Sequence, residues 1–427
     1  MKDMGSNWIL ETIKKVGSNR WAGIVAAALV GCACGYLLHD TLSVRGIDEL
    51  KGEPDVNDII SVIDLEMEDS AIYTGHILNG KRHGWGVLKL ATNNICEGVW
   101  SQNRLPYGTM KIWNADKQQY AKTWEGDLSQ NFEAHGFGKM VYGSDSDSVY
   151  IGNYKHNFRE GLGRIWNGDQ QYFGRWRGGL KVEDDRLYAT GDSVYGVDIS
   201  KYQKGINWDE LAIFCDRQGT VYTIKTDSTK YVHPVDFVFI KATQGTDIQD
   251  PLYLSHVEQA RKHYIKVGAY HLLELEPTKE SIKAQIENFT RHMQMEKYDL
   301  PPMLDLEADS LKTQQRRLGI SNADLLDYIY QWLTEFEETT GIKPIVYGGD
   351  DFMNSFVLSD QRFRSYTLWI PRYPKDISLK TNKKAVVRPS RNNWTFWQMT
   401  HKSTAGGVNI DIDKFNGTYN DFKLKYK

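Results

Sequence analysis

The chain has 427 residues, a formal net charge of -3, and acids and bases interspersed along its length. That length predicts two or three domains, and without a long basic block nucleic acid is excluded as a partner. Four cysteines (Cys32, Cys34, Cys96 and Cys215) supply neither a disulfide ladder nor zinc-ligand spacing, so no metal and no cofactor are expected.

Residues 1–20 carry Lys14, Lys15 and Arg20 and lead into residues 21–38, WAGIVAAALVGCACGYLL, which hold no charge. At about 1.5 Å per residue that run just crosses a hydrocarbon core, and the preceding cations favour a cytoplasmic N-terminus with the rest of the chain outside. A buried soluble helix is the plainer alternative. Leu29-Val30-Gly31-Cys32 resembles a lipoprotein cleavage box, so a lipid on Cys32 is the rival anchor, although the residues after Cys32 stay apolar. Either anchor predicts a bacterial membrane-anchored protein with its bulk periplasmic or at the cell surface. Residues 39–69 read as an acidic linker with a short helix around residues 56–65.

Residues 70–185 repeat themselves. Tyr73-Thr74-Gly75 leads to Asn79-Gly80 and His83-Gly84-Trp85-Gly86; Cys96-Glu97-Gly98 leads to Tyr107-Gly108; Trp124-Glu125-Gly126 leads to His135-Gly136-Phe137-Gly138; Tyr150-Ile151-Gly152 leads to Gly161-Leu162-Gly163; and Tyr172-Phe173-Gly174 begins a shorter unit. The leading glycines recur at roughly 25-residue intervals. Each unit reads as two short strands about a turn, Asn-Gly being a hairpin signal, and such hairpins must stack to bury a face. The pattern resembles the MORN repeat family, weakly so in the second unit, where Leu105-Pro106-Tyr107 replaces the usual polar turn. The resemblance implies a platform for a protein or lipid partner; a rigid spacer is the plainer reading.

From residue 186 to 427, strands alternate with helices. Strands are expected at 194–199, 235–242, 267–272, 303–307, 344–347, 367–370 and 395–399, and helices at 255–264, 279–293 and 323–340. This alternation predicts an α/β barrel with its chemistry at the C-terminal ends of the strands. Residues 301–309, PPMLDLEAD, are the centre of interest. On a strand, Asp305 and Glu307 share a face, their Cα atoms about 6.6 Å apart. Two carboxylates on one face repel, so one of them holds its proton unusually tightly. A protonated acid beside an ionised carboxylate is the equipment for cleaving a glycosidic bond. Solvated acids at a strand end are the plainer reading, as they are for any lone D-x-E. The other strand ends add Asp198 and Gln203, Lys241, Tyr270 and His271, Tyr347, Trp369, Trp397 and Gln398, and Asp411. The D-x-E-x-D run of Asp305, Glu307 and Asp309 lacks the glycine and distal glutamate of a calcium loop.

Gly196-Val197-Asp198-Ile199-Ser200-Lys201-Tyr202-Gln203, Phe239-Ile240-Lys241-Ala242-Thr243-Gln244-Gly245, Gly268-Ala269-Tyr270-His271, Leu304-Asp305-Leu306-Glu307, Trp397-Gln398-Met399 and Ile410-Asp411-Ile412-Asp413 resemble, in order, the motifs of glycoside hydrolase family 25 lysozymes. The resemblance implies a flattened TIM-like (β/α) barrel of about eight strands. It also implies cleavage of the β-1,4 bond between N-acetylmuramic acid and N-acetylglucosamine in peptidoglycan. By that similarity Glu307 is the general acid, and Asp305 stabilises positive charge at the sugar or orients its 2-acetamido group. Asp198 and Asp411 line and tune the cleft, and Gln203, Lys241, Tyr270, His271, Tyr347, Trp369, Trp397 and Gln398 bind substrate. Gln244 departs from the pattern, standing where an acid is usual. Residues 215–234 read as an insertion, a hairpin or loop. A non-hydrolytic wall-binding scaffold with an inactive cleft is the alternative.

Overall fold

The computed structural model describes residues 59–143, 148–167, 170–182, 193–215, 221, 231–293, 298–373, 389 and 394–426. The expected anchor at 21–38, the box at Cys32 and the N-terminal segment 1–20 lie outside those residues. Among the described residues no helix is long and apolar enough to cross a membrane. The chain divides into two compact units. One runs to Tyr150 and includes Tyr154–Phe158; the other holds Ile151–Asn153 and everything from Arg159 on.

The N-terminal region is a large antiparallel sheet. Its strands are β1 (Ile59–Glu66), β2 (Ile72–Leu78), β3 (Lys81–Lys89), β4 (Ile95–Trp100), β5 (Tyr107–Asn114), β6 (Gln119–Leu128), β7 (Ala134–Tyr142), β8 (Ser148–Lys155), β9 (Phe158–Asn167), β10 (Gln170–Arg177) and β11 (Leu180–Lys181). The helix expected at 56–65 is instead β1, paired with β2. Its Ile59, Ile60, Val62 and Ile63 are stiff at χ1 and fit a pleated surface better than a helix. The repeat's glycines meet across the strands: Gly75 faces Gly86, which faces Gly98, then Gly108, Gly126 and Gly138 in turn. A Cβ at Gly126 would lie 2.6 Å from the Gly138 Cα and 2.7 Å from the Trp124 ring. The glycine row is thus the trough in which the buried Tyr73 and Trp124 side chains lie.

The second unit is built on a nine-stranded sheet. Its strands are β12 (Ser193–Ile199), β15 (Phe237–Gln244), β16 (Ile248–Gln249), β17 (Lys266–Leu272), β18 (Met303–Leu306), β19 (Ile345–Gly348), β20 (Thr367–Pro371), β21 (Trp394–Ala405) and β22 (Val408–Thr418). β12 pairs with β15 on one side and β22 on the other, so the sheet closes into a barrel, with the two-residue β16 hanging on β15. All ring pairings are parallel except those of β22, which runs antiparallel to both β21 and β12. That strand escapes the sequence pattern because it returns through the tight turn Gly406-Gly407 instead of a helix. Helices α1 (Tyr253–Lys262), α2 (Lys279–Met293), α3 (Ala308–Leu318), α4 (Asn322–Thr340), α5 (Asp350–Ser355) and α6 (Tyr419–Lys425) complete the unit. α4 starts on a Ser321–Asp324 capping box and stops at left-handed Gly341.

The pleat sorts each barrel strand. Val194, Phe237, Phe239, Met303, Ile345, Trp369, Phe396 and Phe415 form one apolar cluster. Their strand neighbours Val197, Val238, Ile240, Leu304, Leu306, Val346 and Leu368 join Leu325, Ile329, Trp332 and Phe336 of α4 in another. Gly196 and Gly268 make the interior fit, because a side chain there would collide with the Phe237 and Phe239 rings.

The ends of the 215–234 insertion pair as a hairpin, β13 (Ala212–Cys215) with β14 (Tyr231–Pro234). Leu162 and Phe173 of β9 and β10 pack with Ala212 and Val232 of that hairpin. Arg164 meets the buried Asp236 at 2.6 Å, and Arg175 pairs with Glu210. The last hairpin of the repeat region therefore groups with the barrel, ahead of the boundary expected at 185/186, because these contacts tie it there.

Candidate active site

The inward side chains at one end of the barrel are polar. Asp198 on β12 and Asp411 on β22 are direct register partners. Gln398 of β21 joins them, its Nε2 donating to Asp198 Oδ2 at 2.7 Å and to Asp411 Oδ2 at 3.1 Å. Its Oε1 accepts from the Tyr347 hydroxyl at 2.8 Å and from the Tyr373 hydroxyl. Two donors on one amide oxygen leave a single orientation in which every group is satisfied. Gln398 is thus held by its neighbours, and Tyr373, just past the end of β20, belongs to the site although strand-end counting passed it over.

Asp305 occupies the inward position of β18, beside Leu272 and Tyr347. Glu307 follows the strand as the N-cap of α3, still extended at φ -75° and ψ 99°, so it keeps the alternation and shares Asp305's face. Asp305 is 8% exposed, and its Oδ1 has no hydrogen-bond donor among the described residues. Burial, then the neighbouring Glu307, holds the Asp305 carboxyl well above the usual carboxylate range, with Lys241 pulling the other way. Glu307 is also raised, by desolvation and then by Asp309, and opens to solvent. Asp198 is pushed well up by burial and by Asp411, and burial lifts Asp411 to about 6.

Beneath them Asp413 is fully buried, its Oδ1 accepting from the Trp369 indole at 2.8 Å. It sits two residues past Asp411 on the same face, so the alternation that marked Asp411 would have found it. Burial, then Asp198 and Asp411, raises it well above the ordinary value. So many acids in one low-dielectric space cannot all ionise. Some carry protons at neutral pH, which equips the site to protonate a leaving oxygen and to stabilise positive charge beside it.

The substrate-contact candidates divide. Lys241, Tyr270 and Tyr347 lie among the acids, whose charges act on all three. His271 does not join them. It follows Tyr270 on the strand, so it points outward, is 0% exposed, and stacks on Trp332 of α4. Its ring nitrogens meet Thr243 Oγ1 at 2.7 Å and Gln285 Oε1 at 3.1 Å. Trp397 likewise faces outward, its indole donating to the Arg372 carbonyl, because Gln398 takes the inward position. Trp369 is in the barrel interior, buried with Phe239 and Phe396. The Gln203 amide accepts from the Ser200 N–H and donates to the Asn409 carbonyl, tying the loop after β12 to the start of β22. Among the described residues no cluster of three or more His, Cys, Asp or Glu has the arrangement to hold a metal ion.

Residues 197–408 match the family model described as glycosyl hydrolases family 25. The chain is 25% identical over 243 residues to lysozyme M1 of Streptomyces globisporus, covering 55% of this chain and 72% of that protein. It is 27% identical over 240 residues to an N,O-diacetylmuramidase of a Chalaropsis species, covering 54% and 98%. A solved family 25 lysozyme from Aspergillus fumigatus matches 55% of this chain and 99% of its own, at 26% identity and a TM-score of 0.40.

Proposed function

Because the barrel domain of this chain belongs to glycosyl hydrolases family 25, we propose that Glu307 is the general acid with which it cleaves the β-1,4 bond between N-acetylmuramic acid and N-acetylglucosamine. The protein is a peptidoglycan hydrolase, in keeping with its lysozyme and N,O-diacetylmuramidase relatives. The observation that carries the assignment of roles is the Asp305–Glu307 pair: two inward acids, both raised, only one of them open to solvent. Glu307, at the open edge, protonates the leaving oxygen. Asp305, whose Oδ1 has no donor among the described residues, accepts the N–H of the 2-acetamido group or, once its carboxyl gives up its proton, stabilises the developing positive charge. Asp198 and Asp411 share the Gln398 amide and shape the cleft floor.

The uncharged run 21–38 anchors the protein in a bacterial membrane with the barrel outside the cytoplasm, and the MORN-type repeats present a platform to a protein or lipid partner. The repeats' support is the glycine row and its buried aromatics; the anchor's is the sequence alone. The test is release of muropeptides from purified peptidoglycan, read by mass spectrometry. Glu307→Gln should lower kcat by about 10²–10⁴. A wild-type protein no faster than that variant refutes the proposal and leaves a wall-binding scaffold.

A further inference from the structure

Lys241 Nζ donates to Gln244 Oε1 at 2.7 Å, and Gln244 Nε2 donates to Glu274 Oε1 at 2.7 Å. An ammonium only donates and a carboxylate only accepts, so a single orientation of the Gln244 amide satisfies both ends. The relay needs two local devices. A register shift in β15 between Lys241 and Thr243 brings Lys241 and Gln244 together and sends Thr243 outward to His271. Gly245 lets the Glu274 carboxylate come down, since a Cβ there would stand 2.7 Å from Glu274 Oε2.

Glu274 is itself fixed through its backbone. Its N–H donates to Gln285 Oε1 at 3.1 Å, and its carbonyl accepts from Gln285 Nε2 at 2.9 Å and from the Tyr328 hydroxyl at 3.2 Å. Gln285 is the residue that also meets His271. The fully buried His271, whose ring nitrogens meet Thr243 and Gln285, thus helps hold the turn from which the relay starts.

We infer that Glu274 and Gln244 are positioning residues that place the Lys241 charge against the Asp305–Glu307 pair, Glu274 supplying the carboxylate at the far end of the relay. The inference rests on the hydrolase reading above. The charges facing Lys241 are those of Asp305, Asp250, Glu274 and Lys201; those facing Glu307 are Asp309, Lys241, Asp305 and Asp198; and those facing Asp305 are Glu307, Lys241 and Asp198. Neutralising Glu274 makes this cluster more positive and loosens the proton on Glu307. A carboxylate at 244 does the reverse.

The experiment is a swap on the full chain, with kcat/KM on purified peptidoglycan measured against pH. Glu274→Gln should move the basic limb down by about half a pH unit and Gln244→Glu should move it up by about as much. Each single variant should lose about tenfold at its optimum, and the double variant Gln244→Glu/Glu274→Gln should recover to within about threefold, because Lys241 then donates to a carboxylate that also accepts from the new amide. A double variant that loses about a hundredfold, the product of independent effects, or single variants whose limbs stay put, would overturn the inference and leave a purely structural relay. Loss of the hydrolase reading is separable, since it shows as a wild type no faster than Glu307→Gln. In that case NMR titration of the Lys241 side chain still decides: Glu274→Gln should lower its pKa and the double variant restore it, and an unmoved Lys241 would overturn the relay.

Discussion

Asp411 offers a quantitative test of the crowded acids. Burial lifts its pKa from 3.8 to about 6. The folded chain therefore binds more protons at this position than the unfolded chain between those values, and stability falls as pH rises through that window. Two pH units at 1.36 kcal/mol each amount to roughly 3 kcal/mol at most. Asp411→Asn keeps an acceptor for Gln398 and removes the charge, so it should stabilise the barrel by up to that amount at pH 7 and by almost nothing near pH 4. At roughly 2–4 °C per kcal/mol for a domain of this size, Tm should rise by up to about 6–12 °C at pH 7. Thermal unfolding of wild type and variant at the two pH values is the assay. A gain of equal size at pH 4 and pH 7, or a loss at pH 7, would refute the reasoning, because neither can arise from an acid strained by its own ionisation. A gain coupled to reduced kcat would mark the acid cluster as a place where stability is given up for chemistry.

Two further predictions concern residues away from the cleft. His271→Leu should cost about 1–3 kcal/mol by leaving Thr243 and Gln285 without their ring partner, and urea unfolding should show it while KM stays unchanged; a raised KM with full stability would return His271 to the substrate. Arg164→Met strands the buried Asp236 carboxylate and should cost about 3–5 kcal/mol, measured as a lower midpoint of urea unfolding at pH 7 that narrows toward wild type below the ordinary Asp range. A variant as stable as wild type would show that the contact with Asp236 contributes little.

The acid pair was legible because i and i+2 share a face on any strand, whatever surrounds it. By the same rule Tyr270 with His271, and Trp397 with Gln398, cannot both point inward, although the resemblance implies a substrate contact for all four; the rule does not say which of each pair turns in. That choice belongs to barrel closure, which sets the inner face of every strand at once.

Local pattern by itself determined the hairpin repeats, most of the barrel strands, helices α1, α2 and α4 except for some of their ends, and the motif residues that resemble a lysozyme, but not α3. Tertiary structure alone decided the antiparallel return of β22, the shift that brings Gln244 back beside Lys241, the inclusion of Tyr373 in the site, and the partnership of Gln244 with a carboxylate thirty positions later in the chain. The physical reason is one of range. Periodicity and turn chemistry act over a few residues, whereas the proton affinity of a carboxyl and the aim of an amide depend on groups that only the closed sheet brings within hydrogen-bonding distance.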